Sequence, residues 1–185
     1  MSLTITAASH IRLIDANTNQ DRYVRLYLDR RTGYFKAGTP ATVLVQLVTN
    51  RACANYTDNL RPGVYQVSGQ YFDIRTGGYH ASYTNYESWL EKLAQLALGV
   101  SRKYVLAHAA HFQTETPFGL LLTYSSVEDF IGLNHSRCIA ADFAQYAKQL
   151  NQKLSCGADE RWLQGYKQLW QAFTIGAAQG VVCFG

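Results

Sequence analysis

Tyr83-Thr84-Asn85-Tyr86-Glu87-Ser88-Trp89-Leu90-Glu91-Lys92-Leu93 is the stretch in which the hydrophobic period of the chain changes. Thr84-Asn85-Tyr86-Glu87 has the form of a capping box, in which a threonine oxygen accepts from a backbone N–H and a glutamate reaches back. It precedes Trp89, Leu93, Leu96, Ala97 and Val100, which recur at helical spacing, so a helix is expected over about 85 to 99.

Upstream, turn residues punctuate short pieces that alternate with period two, the signal of strands. In Tyr23–Asp29, Val24, Leu26 and Leu28 share one face while Tyr23, Arg25 and Tyr27 share the other. Arg30-Arg31-Thr32-Gly33 then suits a turn before Tyr34-Phe35-Lys36. Further strands are expected at Ile11–Asp15, Thr42–Thr49, Val64–Ile74 and Tyr79–Tyr83, separated by Gly38-Thr39-Pro40, Arg61-Pro62-Gly63 and Gly77-Gly78. This spacing predicts an antiparallel meander or small barrel-like sheet.

Downstream, Lys103–His108 and Phe118–Tyr124 read as two buried strands, the second bounded by Pro117 and Ser125. Ser125-Ser126-Val127-Glu128-Asp129 offers another capping box ahead of a helix that carries Ile139, Phe143, Tyr146 and Leu150 on one stripe. Ser155-Cys156-Gly157 breaks that helix. A last helix is expected from about 158 to 178, with Trp162, Tyr166, Leu169, Trp170, Phe173 and Ala177 on its apolar side. Gly180 ends it before a short strand, Val181–Phe184. Strand signals come first and helix signals later, which predicts an α+β fold: one domain over 1–185, sheet-rich over 1–83 and helix-rich over 84–185. An antiparallel N-terminal sheet would pack against the helical C-terminal third.

Composition supports a packed core and excludes several classes. Of the 185 residues 48% are hydrophobic and only 16% charged, enough burial to offset chain entropy and to argue against disorder. The net charge of +4 is too mild for a dedicated duplex-binding module. The excess sits in the first quarter, where Arg12, Arg22, Arg25, Arg30, Arg31, Lys36 and Arg51 face only Asp15, Asp21 and Asp29. Four widely spread cysteines, Cys53, Cys138, Cys156 and Cys183, suggest free thiols in a reducing, cytoplasmic setting. No leader-like start and no long apolar run point to a membrane. Gly63, Gly69, Gly77 and Gly78 follow no phosphate-loop or dinucleotide pattern, and no cofactor is expected.

Three groups of residues could carry chemistry or binding. His108-Ala109-Ala110-His111 and His135-Ser136-Arg137-Cys138 are two pairs of metal-ligand type at spacing three. If residues 104–112 are extended, His108 and His111 point to opposite faces, so separately satisfied histidines without zinc are expected. Cys138, expected in the first turn of its helix, would have its thiol pKa lowered by the helix dipole, with His111 or His135 as base and Asp129 behind it. The order His111, Asp129, Cys138 is similar to that in the ubiquitin-like-protein and acetyltransferase-type cysteine proteases. The small-residue and glycine pattern usual beside that cysteine is absent from Arg137-Cys138-Ile139, so the family is not assigned.

The third group is Tyr23, Arg25, Tyr27, Arg30, Arg31, Tyr34 and Lys36, which combines flat rings able to stack on bases with cations able to hold phosphates. Tyrosine and arginine are equally the residues of protein-interface hot spots. Glu128-Asp129 and Asp159-Glu160 fall at expected helix starts, where capping accounts for them. The leading expectation is a non-enzymatic binding or regulatory protein that uses this basic, tyrosine-bearing sheet surface on a single-stranded nucleic acid or a protein partner. The rival is a cysteine-dependent hydrolase or transferase built on Cys138.

Overall fold

Val181–Phe184, the last strand of the chain, lies in the middle of the main sheet rather than at its edge. The computed structural model describes residues 3–15, 43–47, 56, 58, 60–61, 63–74, 83–124, 129–154 and 160–185. Its strands are β1 (Ile5–Ala8), β2 (Ile11–Asp15), β3 (Val43–Leu47), β4 (Gly63–Val67), β5 (Tyr71–Asp73), β6 (Asp129–Ile131) and β7 (Val181–Phe184). Its helices are α1 (Tyr83–Leu98), α2 (Arg102–Ala107), α3 (Ala109–Glu115), α4 (Gly119–Thr123), α5 (Leu133–Leu154) and α6 (Glu160–Gly176). The fold is α+β, as expected. A four-stranded antiparallel sheet has the order β5-β1-β7-β6, and a three-stranded one the order β2-β4-β3.

Among the described strands the sheet is antiparallel, as expected, with β7 from the end of the sequence placed between β1 and β6 rather than in meander order. Residues alternate along β7 between two apolar clusters, Val182 and Phe184 in the large one and Val181 in the small one. A strand apolar on both faces belongs in the interior of a sheet, which is where β7 pairs with β1 and β6. On one face the sheet meets α5 and α6. On the other, Ala8, Phe130 and Val181 pack with Leu47, Tyr65 and Val67 of the smaller sheet.

The expected single strand Val64–Ile74 is two strands, β4 and β5, one in each sheet. The chain bends between them at Ser68-Gly69-Gln70, alongside a matching bend at Ser9-His10 between β1 and β2. The two bends are tied together: the Gln70 N–H donates to Ser9 Oγ at 2.8 Å, and Ser68 Oγ donates to the His10 carbonyl at 2.8 Å. Gly180 lets a third segment close on this corner, since a Cβ there would stand 1.9 Å from the Ala8 carbonyl oxygen.

The expected strands Lys103–His108 and Phe118–Tyr124 are instead short helices, α2 and α4, with α3 between them. Ser101 caps α2, its side chain accepting from the Tyr104 N–H at 3.2 Å. Of α2 only Arg102 and Val105 are buried, a spacing of three that marks one helix face. Phe118, in the left-handed region at φ 59°, turns the chain into α4, and its N–H donates to Asp142 Oδ2 at 2.8 Å. Helix α1 starts at Tyr83, so Thr84 lies inside the helix rather than at its cap. The rest of the expected strand Tyr79–Tyr83, and Ser125–Glu128 of the second capping box, lie outside the described residues. Asp129 opens β6 instead of a helix.

The long helices carry the core. Ile139, Phe143 and Leu150 of α5 meet Trp162, Tyr166, Leu169 and Phe173 of α6, and Trp170 is half-buried beside them. Trp89 of α1 stacks on Trp162 at 5.3 Å, and each indole N–H donates to the other's backbone carbonyl, at 3.1 and 3.3 Å. No helix among the described residues is long and apolar enough to cross a membrane.

Candidate functional site

Two places gather polar or exposed side chains that packing alone does not require. The first is the start of α5. Asp58, in the left-handed region that aspartate tolerates (φ 52°), reaches the first turn of that helix from far away in sequence. Its Oδ2 accepts from the N–H groups of Asn134 and His135 at 2.5 and 3.3 Å, supplying the cap that the helix's own sequence lacks. Its Oδ1 lies 2.7 Å from His135 Nδ1. A carboxylate oxygen accepts, so Nδ1 carries the hydrogen of this bond.

Beneath this pair, Tyr56 orders the approach. Its carbonyl accepts from the Gly132 N–H at 2.8 Å, and its ring lies 5.4 Å from that of His135 and 5.2 Å from that of Tyr124. Gln113 Nε2 donates to the Tyr56 hydroxyl at 3.0 Å, and Thr123 Oγ1 lies 3.1 Å from that hydroxyl while donating to the Gly119 carbonyl at 2.7 Å. One donor direction, from Gln113 through Tyr56 and Thr123 to Gly119, satisfies all three bonds.

The second place is the surface of α1 and α2. Arg102 is buried, with Nε on the Leu122 carbonyl at 3.1 Å, Nη2 on the Tyr124 carbonyl at 3.2 Å and Nη1 paired with Glu87. It thereby satisfies carbonyls at the end of α4. Burial lowers the Arg102 pKa, the neighbouring Tyr86 acting against it, and burial raises that of Tyr86. Beside Arg102 opens a cleft of about 470 Å³ lined by Glu87, Ser88, Glu91, Arg102, Lys103 and Leu106.

Turning about 100° per residue, α2 shows solvent a continuous face of Leu106, Lys103, Ala107 and Tyr104, and His108 follows on. Tyr104 is 50% exposed and Leu106 40%. One face of the Tyr104 ring is covered by His108, 4.3 Å away, whose Nδ1 donates to the Tyr104 carbonyl at 3.0 Å.

The residues singled out in the sequence are distributed differently from expectation. Tyr23, Arg25, Tyr27, Arg30, Arg31, Tyr34 and Lys36 lie outside the described residues. Cys138 is exposed, and as the sixth residue of α5 it sits in the second turn, beyond the strongest reach of the helix dipole. His111 is on α3, its ring against Phe112. Among the described residues no hydrogen bond, ion pair or ring contact joins His111 to Cys138, and His135 is held by Asp58. Of the four expected metal-type residues, His108 is bound to the Tyr104 carbonyl and His135 to Asp58; no group of three or more His, Cys, Asp or Glu among the described residues could hold a metal ion.

Sequence reasoning missed Asp58, Arg102 and Tyr104. Only Tyr104 carries a local sign, an aromatic next to Lys103 in a run whose pattern reads as buried strand. No protein-family model, curated protein or solved structure matches this chain. Its function is therefore argued from its own residues.

Proposed function

We propose that the chain is a non-enzymatic binding or regulatory protein that docks a protein partner. The observation that carries this reading is the solvent face of α2, where a tyrosine and a leucine stand exposed on either side of Lys103 and next to a cleft. Aromatic and aliphatic side chains grouped on a surface favour association, because covering them releases water while the rigid tyrosine loses little conformational entropy. The Tyr23–Lys36 segment supports the same reading from sequence, with Tyr23, Arg25, Tyr27, Arg30, Arg31, Tyr34 and Lys36 as its contact residues.

A photo-crosslinking amino acid at position 104 tests this in the native host cell, with the same group at exposed Lys148 as control. A discrete protein adduct from position 104 alone is expected; identical patterns from both positions would sink the reading. Fluorescence anisotropy with single-stranded DNA, RNA and duplex separates the nucleic-acid alternative. Binding that weakens in the Arg30→Ala, Arg31→Ala double variant, with a flatter salt dependence, would move the function to nucleic acid.

The Asp58–His135 bond favours a second reading, a cysteine-dependent hydrolase or transferase. The base would be His135, oriented by Asp58, with Cys138 one helical turn further along α5 as nucleophile. Here the alkylation rate of Cys138 by iodoacetamide decides. A rate unchanged in His135→Gln and typical of a free thiol would remove this reading.

A further inference from the structure

Tyr56 and Asp58 hold two parts of the molecule at once. Asp58 caps the first turn of α5 through the N–H groups of Asn134 and His135, and the Tyr56 carbonyl accepts from Gly132, just before that helix, at 2.8 Å. The Tyr56 side chain meanwhile reaches the short helices. Its hydroxyl meets Thr123 of α4 at 3.1 Å and Gln113 of α3 at 3.0 Å, and its ring lies edge-on to that of Tyr124. Two residues of chain span at most about 7 Å, so the cap and the hydroxyl cannot part far from one another. On the other side, Arg102 of α2 binds the carbonyls of Leu122 and Tyr124. At five residues α4 is too short to stand without such supports. The start of α5 depends on the same two residues, since the Ser136 N–H donates at 2.9 Å to the carbonyl of Gly132, which Tyr56 holds.

We infer that Tyr56 and Asp58 form a clasp through which α4 and the first turn of α5 open and close together, in a step smaller than unfolding of the whole chain. When the first turn of α5 lets go, the ring and hydroxyl that Tyr124 and Thr123 meet go with it. When α4 unwinds, the Tyr56 hydroxyl loses its buried partner Thr123, and the cap loses its anchor. Among the described residues none of these bonds reaches α6, whose Trp162, Leu169 and Phe173 are held by their own buried stripe. Because Arg102 ties α4 to α2, the clasp also links the two candidate places, the exposed face of α2 and the Asp58–His135 pair. The inference does not depend on the docking reading.

Amide hydrogen exchange, followed residue by residue by NMR on the whole chain, tests this. Leu122 and Tyr124 report on α4, where their N–H groups donate to the carbonyls of Phe118 and Leu120, and Ser136 reports on the first turn of α5. Phe173, fully buried in α6, reports on the fold as a whole. In the parent chain the first three should be less protected than Phe173. Tyr56→Phe keeps the ring and removes only the hydroxyl, so it should speed exchange roughly fivefold at Leu122 and Tyr124 and by the same factor at Ser136. Asp58→Ala acts from the other end, and should speed exchange roughly fivefold at Ser136 and equally at Leu122 and Tyr124. An effect that stays within the segment where either substitution acts overturns the inference, because the two segments would then open independently. Equal protection of Phe173 and the other three in the parent chain also overturns it, since α4 and the start of α5 would open only with the whole fold.

Discussion

Helices α5 and α6 and the run from α2 to α4 are built from similar apolar residues, yet they hold the fold in different ways. The long helices bury continuous stripes: Phe143, Trp162, Leu169 and Phe173 are all fully covered. The short helices are too brief to bury such a stripe, and side-chain hydrogen bonds fix them instead: Ser101 at the start of α2, Arg102 at the end of α4, Asp142 on the N–H of Phe118. A helix of five to seven residues gains too few backbone bonds to repay its nucleation, so its ends must be held from outside. In one region, then, stability comes from area along continuous stripes; in the other, where Val105, Leu121 and Leu122 are also fully buried, satisfied polar groups must hold the helix ends as well.

The largest effect expected is in the first region. Phe143 touches Trp89, Phe118, Tyr166 and Phe173, so Phe143→Ala opens a cavity that four rings line. A loss of about 3–5 kcal/mol is expected in urea or thermal unfolding. Arg102→Met should cost less, about 2–3 kcal/mol, since the buried stem is replaced and the loss falls on the unpaired carbonyls of Leu122 and Tyr124 and, more weakly, on the half-exposed Glu87. A reversed order would break the comparison, because it would put the main support of the fold in the polar joints.

The same difference decides how much could be read from the sequence. Seventeen and twenty-two residues of sustained helical period made α6 and α5 plain, and β7 was legible as a short apolar run after Gly180. Over Lys103–His108 the same residues fit alternation and helical spacing alike, and what decides between them is Arg102, whose three acceptors lie on α1, α4 and the residue after α4. The bend that divides Val64–Ile74 left only Gly69 as a sign; a Cβ there would meet Ser9 Oγ at 2.4 Å, from the other strand of the bent ribbon. As for the candidate sites, Asp58 and His135 are 77 positions apart, and no local pattern connects them. The expected trio of Cys138, His111 and Asp129 rests on chain order, which does not determine which side chains meet.

Asp58→Ala sharpens the comparison at a third kind of joint, where a distant side chain caps a long helix. About 1 kcal/mol should be lost with the cap, and Asp58→Asn should recover part of it, because an amide oxygen still accepts from the N–H groups of Asn134 and His135. Equal losses in both variants would mean that the carboxylate's own charge, rather than its acceptor atoms, is what holds the start of α5.

The smallest effect separates charge from hydrogen bonding at Asp142, a joint that belongs to both regions. Its carboxylate, on α5, accepts from the Phe118 N–H at 2.8 Å and acts electrostatically on the Tyr166 hydroxyl. Burial raises its pKa above the ordinary aspartate value, and the Phe118 hydrogen bond offsets only part of that rise. As pH climbs from the ordinary aspartate range through the raised folded value, the folded chain holds the proton longer than the unfolded chain. Stability therefore falls across that window and stays lower above it. Asp142→Asn keeps an acceptor for Phe118 but cannot ionise, so this decline should vanish. Its stability relative to the parent should be constant below the window, grow in the variant's favour through it and level off at neutral pH. The Tyr166 hydroxyl, whose pKa is raised first by burial and then by the charge of Asp142, should also ionise at lower pH in the variant. Urea unfolding over a pH series and the ultraviolet absorbance of tyrosinate read the two effects separately. A variant less stable than the parent at neutral pH would show that the charge strengthens the bond to Phe118 by more than its burial costs.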